Sequence, residues 1–130
     1  MSQQEIEVIL SRQLASCLAL PIFIVDPQGT LLFYNEPAEL VLGRHYEETG
    51  PMAAEEWATI FSPTDAWGKV IPVSELPLTA ALRAGTPSHS DFWITGLDAV
   101  RRHIEVTAFP LIGQGNRHLG GIALFWESKV

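Results

Sequence analysis

An α+β domain is the fold class that this sequence predicts. Three observations point to it: a helical apolar pattern near the N-terminus, a pair of short apolar strands joined by a tight turn, and a strand-rich final third set off from that pair by short helices. The chain has 130 residues, the size of one domain. Hydrophobic residues at 47% and charged residues at 18% exclude a disordered chain. Eight basic residues against 15 acidic ones give a net charge of −7, a poor basis for gripping phosphate backbones. The single cysteine, Cys17, excludes an internal disulfide and any multi-cysteine metal site.

Residues 4–18 read as a helix. Ile6, Ile9, Leu10, Leu14, Cys17 and Leu18 recur at three- and four-residue steps, and Pro21 ends the pattern. A lone helix of this length is marginal in water, so its stripe is expected to lie on its own sheet or on another subunit. Residues 21–26 form a β-branched and aromatic run, residues 26–29 (Asp-Pro-Gln-Gly) a turn, and residues 30–34 a second, antiparallel strand. Asn35 is placed to cap a helix over residues 36–42, with Pro37 early in it and Gly43 as its left-handed stop.

Residues 44–52 read as a polar turn and residues 53–61 as a helix carrying Trp57, Ile60 and Phe61, stopped by Ser62-Pro63. Residues 63–73 read as a loop. Ser74 is expected to cap a third helix, residues 75–84, ended by Gly85. Strands follow at 90–95, 101–109 and 119–126, with turns at 96–98 and 113–116. The last strand is apolar on both phases, which predicts a central position in a sheet covered on both sides.

The order resembles the PAS domain. The resemblance covers about residues 20–127 and rests on Pro21 through Asn35 as an opening hairpin with its capping Asn, on Ala38 through Gly43 as a first core helix, on Glu75 through Gly85 as the helix beside many PAS pockets, and on Gly120 through Glu127. It implies a five-stranded antiparallel sheet with short helices on one face. It divides the chain into an N-terminal dimerisation helix, residues 1–19, and a PAS domain, residues 20–130. It also implies sensing, protein–protein signalling and, in many members, a small molecule held between the sheet and the helix at 75–84.

Candidate chemistry narrows from there. Haem-binding relatives place an axial His on the helix at 75–84, and this one has none; His45, His103 and His118 read as surface residues, and His89, just after the helix, is the nearest substitute. Light-sensing relatives need a Cys over the flavin in an Asn-Cys-Arg-type motif, which is missing, and Cys17 reads as a packed apolar residue. Covalent flavin and haem are therefore both disfavoured, and the cofactor is left open. No ligand spacing suggests zinc, and no Gly-x-Ser-x-Gly elbow suggests a nucleophile, so no enzyme is expected. Arg101-Arg102 is too small a basic cluster for nucleic acid.

Phe33, Trp57, Phe61, Leu78, Leu82, Trp93, Ile104 and Val106 are the expected lining of an apolar ligand pocket, and Ile6, Ile9, Leu10, Leu14 and Phe125 the expected dimer face. The expected function is a sensory or interaction module that binds a small apolar ligand and signals through a partner such as a kinase, cyclase or transcription regulator. A ligand-free dimerisation adaptor is the alternative. With no signal-like N-terminus and no membrane-length apolar run, a cytoplasmic homodimer is expected, with no membrane or nucleic-acid partner.

Overall fold

The computed structural model describes residues 6–128. Its elements run α1 (Ile6–Ser16), β1 (Ile22–Val25), β2 (Leu31–Tyr34), α2 (Glu36–Leu42), α3 (Tyr46–Thr49), α4 (Ala54–Ile60), a 3-10 turn (Val73–Glu75), α5 (Pro77–Ala84), β3 (Ser88–Thr95), β4 (Arg101–Ile112), a second 3-10 turn (Gln114–Asn116) and β5 (His118–Glu127). The strands form one antiparallel sheet in the order β2-β1-β5-β4-β3. β5 lies at its centre, with Ala123 beside Phe23 of β1 and Ala108 of β4. That position accounts for its two-sided apolar run.

Strand alternation splits the sheet into two faces. The inner face carries Phe23, Val25, Tyr34, Ile94, Ile104, Val106, Ala123 and Phe125, packed under Leu42, Trp57, Leu78 and Ala81 of the helices. The outer face carries Ile22 and Ile24, which pack with Ala15 of α1 and are flanked by Phe33, Ile122 and Leu124. The β1–β2 turn closes as its residues dictate. The Asp26 carboxylate accepts from the amides of Gln28 and Thr30, each at 2.9 Å, and Gly29 takes φ 89°.

Several expected elements are corrected. Gln4 and Glu5 of the expected first helix lie outside the described residues, and its far end stops at Ser16, where Cys17 and Leu18 turn back onto the carbonyls of Leu14 and Ala15. Residues 44–52 contain α3, a single turn that propensity alone does not reveal. Ser74 caps nothing. It sits in the 3-10 turn, and α5 begins at Pro77, whose ring holds the preceding Leu76 extended (φ −75°, ψ 147°) and needs no amide partner at a helix start. β3 starts two residues early, and β4 runs on through Pro110 to Ile112 because β5 pairs with it that far.

Candidate functional site

Between the inner sheet face and α4–α5 lies a cavity of about 70 Å³. Phe23, Leu42, Trp57, Phe61, Pro63, Leu76, Pro77, Leu78, Phe92, Ile94, Ile104, Val106, Ala123 and Phe125 line it. None of these side chains is ionisable. The one polar group on an aromatic wall is taken up outside the void: the Trp57 indole N–H donates to the Gly29 carbonyl at 2.9 Å. Such a space can hold an apolar molecule by shape and burial, and its lining supplies no acid, base or nucleophile. Its volume is about half that of the roughly 150 Å³ engineered cavity that accepts benzene, and well under the roughly 300–1,000 Å³ of drug-sized sites. A larger ligand requires α4 or α5 to move outward.

Of the expected lining, Trp57, Phe61, Leu78, Ile104 and Val106 meet at this cavity. Phe33 and Trp93 do not. Ile24 pairs with Phe33 and His103 with Trp93, so both aromatics lie on the outer face. Leu82 packs against Gly121 and borders shallow clefts beside Pro27 rather than the cavity. Phe125 is corrected in the other direction: it is 4% exposed and lines the cavity, so it is no part of an outer dimer face. Phe92 and Ile94 were legible as lining from strand alternation once Ile104 was placed inside.

The cavity wall is tied to α1 through one residue. Phe23 stacks on Tyr34 with ring planes 4° apart and centroids 6.2 Å apart. Tyr34 donates its hydroxyl to the Arg44 carbonyl at 2.9 Å, and burial raises its pKa, which keeps it a donor. The next residue, Asn35, is 1% exposed and the one buried polar side chain in the described core. Its carbonyl oxygen accepts from Ile22 N at 3.0 Å and Ala38 N at 3.2 Å. Its amide nitrogen donates to the carbonyls of Ala15 at 2.8 Å and Leu20 at 2.9 Å. One side chain thus fixes the end of α1, the entry to β1 and the start of α2.

α1 lies on the sheet with its less apolar side inward. Val8 and Ala15 are buried, Arg12 stacks over the Phe33 ring at 4.7 Å, and Glu7 pairs with Arg117 at 3.2 Å. Ile6, Ile9, Leu10 and Leu14 are 67%, 42%, 56% and 62% exposed. The expected dimer stripe is therefore uncovered within one chain. On the outer face of β3 and β4, His103 stacks on Trp93 at 4.8 Å and bonds Asp91 at 2.8 Å, while His89 faces Glu105 at 3.7 Å. Among the described residues no three His, Cys, Asp or Glu side chains converge as a metal site. Cys17 is exposed rather than packed. At the β3–β4 turn, hydrogen bonds from Arg102 and then from the Val100 amide lower the pKa of Asp98.

Solved structures share this architecture. The PAS domain of a Colwellia psychrerythraea protein matches with a TM-score of 0.68 at 13% identity, over 93% of this chain and 96% of that one. The PAS domain of BvgS from Bordetella pertussis matches with 0.64 at 18% identity, over 95% and 87%. A light-oxygen-voltage (LOV) protein of Rhodobacter sphaeroides matches with 0.71 at 11% identity, over 95% and 68%. No protein-family model matches the sequence, and no curated protein is similar enough to count as a relative. The chain adopts the PAS fold: a five-stranded antiparallel sheet with its helices on one face and an N-terminal helix on the other. Among the described residues no helix is long and apolar enough to cross a membrane.

Proposed function

We propose that this chain is a sensory signalling module of the PAS type that binds a small apolar molecule in the inner cavity and reports its occupancy to a partner protein. The observation that carries this reading is the wholly apolar void between the sheet and α5, one wall of which leads through Phe23, Tyr34 and Asn35 to α1. The module performs no catalysis and works in the cytoplasm. Its partner is a signalling protein such as a kinase, cyclase or transcription regulator; the similarity to a PAS domain of nitrogen regulation protein NR(II) from Vibrio parahaemolyticus supports that class. Ala123→Leu, with Ala123→Val as the milder version, fills the cavity from its floor. In a thermal-shift series with benzene- to indole-sized compounds, the parent protein is expected to gain about 4–8 °C at ten times Kd. The filled variants should gain nothing. Equal responses in parent and filled protein would place the binding elsewhere.

The exposed stripe of α1 supports a homodimer within the same reading. An apolar row of this length on a soluble domain marks an interaction surface. Leu10→Glu with Leu14→Glu alters only exposed positions, so thermal stability at the monomer level should hold. Self-association in sedimentation velocity should weaken by at least about tenfold. A double variant that associates as tightly as its parent would remove α1 from the interface. A ligand-free adaptor is the second reading, favoured by the small volume of the cavity; it retains the dimer and predicts no thermal response to any apolar compound.

A further inference from the structure

We propose that the hairpin bearing Trp67 is a docking knob for a second copy of this chain, received by the groove between α2 and the β3–β4 turn of that copy. Trp67 is 90% exposed, the most exposed of the large apolar side chains in the described chain. Its loop is firmly built. Thr64 pairs with Val70, and Thr64 exchanges hydrogen bonds of 2.7 and 2.8 Å with Trp93 on the edge strand β3. The Asp65 carboxylate accepts from the amides of Trp67 and Lys69, each at 2.9 Å. A tryptophan held out on a pre-formed loop loses little freedom on docking, and Trp is among the residues that dominate interface energies.

The knob has a sign. Lys69 and Arg101 flank it, and neither makes an ion pair among the described residues. Arg101 stacks over Trp93 at 4.1 Å and donates to the Asp65 carbonyl at 3.1 Å, so it is fixed to the base of the hairpin. The Asp65 carboxylate is turned onto the hairpin's own amides, so Lys69 and Arg101 leave a net positive charge beside the indole in a chain of net charge −7.

The complement lies along α2, α3 and the β3–β4 turn. A groove of about 710 Å³ is bordered by Glu36, Glu39, Glu47, Glu48 and Asp98, with Leu40, 74% exposed, as its apolar element. Arg44 and His45 also border it, but each already faces a carboxylate, Glu48 at 3.5 Å and Glu39 at 2.9 Å. Asp98 is already held by Arg102 at 3.0 Å, whereas Glu36 and Glu47 make no ion pair among the described residues. The knob is bonded to β3 and β4 through Trp93 and Arg101, and the groove takes Asp98 from the turn that joins those strands, so a twofold pairing lets each copy give Trp67 and receive the other's. One indole and a few charges make a small contact, so it is weak, reversible and sensitive to salt. It is separate from the α1 stripe and does not depend on any ligand in the cavity.

The test uses the full chain carrying Leu10→Glu and Leu14→Glu, which silence the α1 stripe, in sedimentation velocity over a wide concentration range. Association should remain, weaken as sodium chloride is raised, and shift at least about tenfold to higher concentration in Trp67→Ala and in Lys69→Glu. Combining Lys69→Glu with Glu47→Lys in one chain should restore it. All three sites are exposed, so circular dichroism should be unchanged. A chain that stays monomeric throughout the range, or a Trp67→Ala curve that superimposes on its parent, would overturn the proposal.

Discussion

Gly120→Ala is expected to destabilise the protein by about 3 kcal/mol or more, enough to leave a large part of it unfolded at 37 °C. Two effects add. Gly120 has φ +140°, a conformation side chains rarely adopt. A Cβ there would also sit inside the Val25 carbonyl oxygen and 3.1 Å from Asp26 Cα, both backbone atoms of the neighbouring strand and turn. No rotamer change relieves a backbone clash. The damage spreads because β5 is the central strand. The next residue, Gly121, pairs with Val25 and lies 3.0 Å, measured from its would-be Cβ, from Leu78 Cδ1 of α5. Gly121 thus sets how closely α5 approaches the sheet, and through it the roof of the cavity, while Gly120 sets the approach of β5 to the end of β1. Gly115→Ala is the matched control: it has φ +70° with nothing within 4 Å, so it should cost only about 1 kcal/mol. Urea unfolding of both variants checks the contrast, and equal losses would show that the close approach at Gly120 carries no weight.

Asn35→Ala is expected to cost about 3 kcal/mol and to loosen α1 before the rest of the domain. The substitution leaves two amides and two carbonyls without their side-chain partner in a site 1% exposed. Each orphaned buried group costs roughly 1–3 kcal/mol, reduced where the loosened segment regains water. Such relief is easiest at the α1 end, because that helix buries only Val8 and Ala15. Hydrogen exchange should therefore accelerate at the Cys17 and Leu18 amides, which bond the carbonyls of Leu14 and Ala15, while the β4–β5 ladder stays protected. Asn35→Asp should be worse than Ala at neutral pH. It keeps the acceptor toward Ile22 and Ala38 but turns a negative oxygen on the carbonyls of Ala15 and Leu20. Uniform acceleration across the sheet in Asn35→Ala would mean that the residue merely holds the core together and has no particular tie to α1.

The order of strands and helices, the Asp26 turn and the central place of β5 were all readable because each rests on local pattern: period-two alternation, a turn residue at a fixed step, an apolar run on both phases. The site was half legible. Ile104 and Val106 followed from alternation in β4, but Trp93 was drawn inward by its size although its partner His103 occupies the polar phase. Strand parity outranks side-chain hydrophobicity there, and the reward for Trp93 on the outer face is its stack with His103 and Arg101. Phe33 was misplaced for a related reason. A register irregularity between Ile24 and Val25 leaves Leu31 and Tyr34 inward and Phe33 outward, and no local signal announces it. Asn35 was legible as a cap, since that bond spans three residues. Its bonds to Ala15 and Leu20 arise only when the chain folds back. The stripe of α1 was legible as Ile6, Ile9, Leu10 and Leu14, which lie exposed, but its opposite side, Val8 and Ala15 against the sheet, was not, because a helical pattern gives the face and not what it faces.

The sensory reading proposed above stands or falls on whether the inner cavity is a binding site. Mass spectrometry of the protein as purified from its native source, recorded under native and then denaturing conditions, tests it most directly, with Ala123→Leu prepared in parallel. A mass excess is expected in the native spectrum, lost on denaturation and missing from the filled variant. A bare native mass in the parent protein, together with no thermal response to any apolar compound, would contradict it and leave a dimerising adaptor with a closed core.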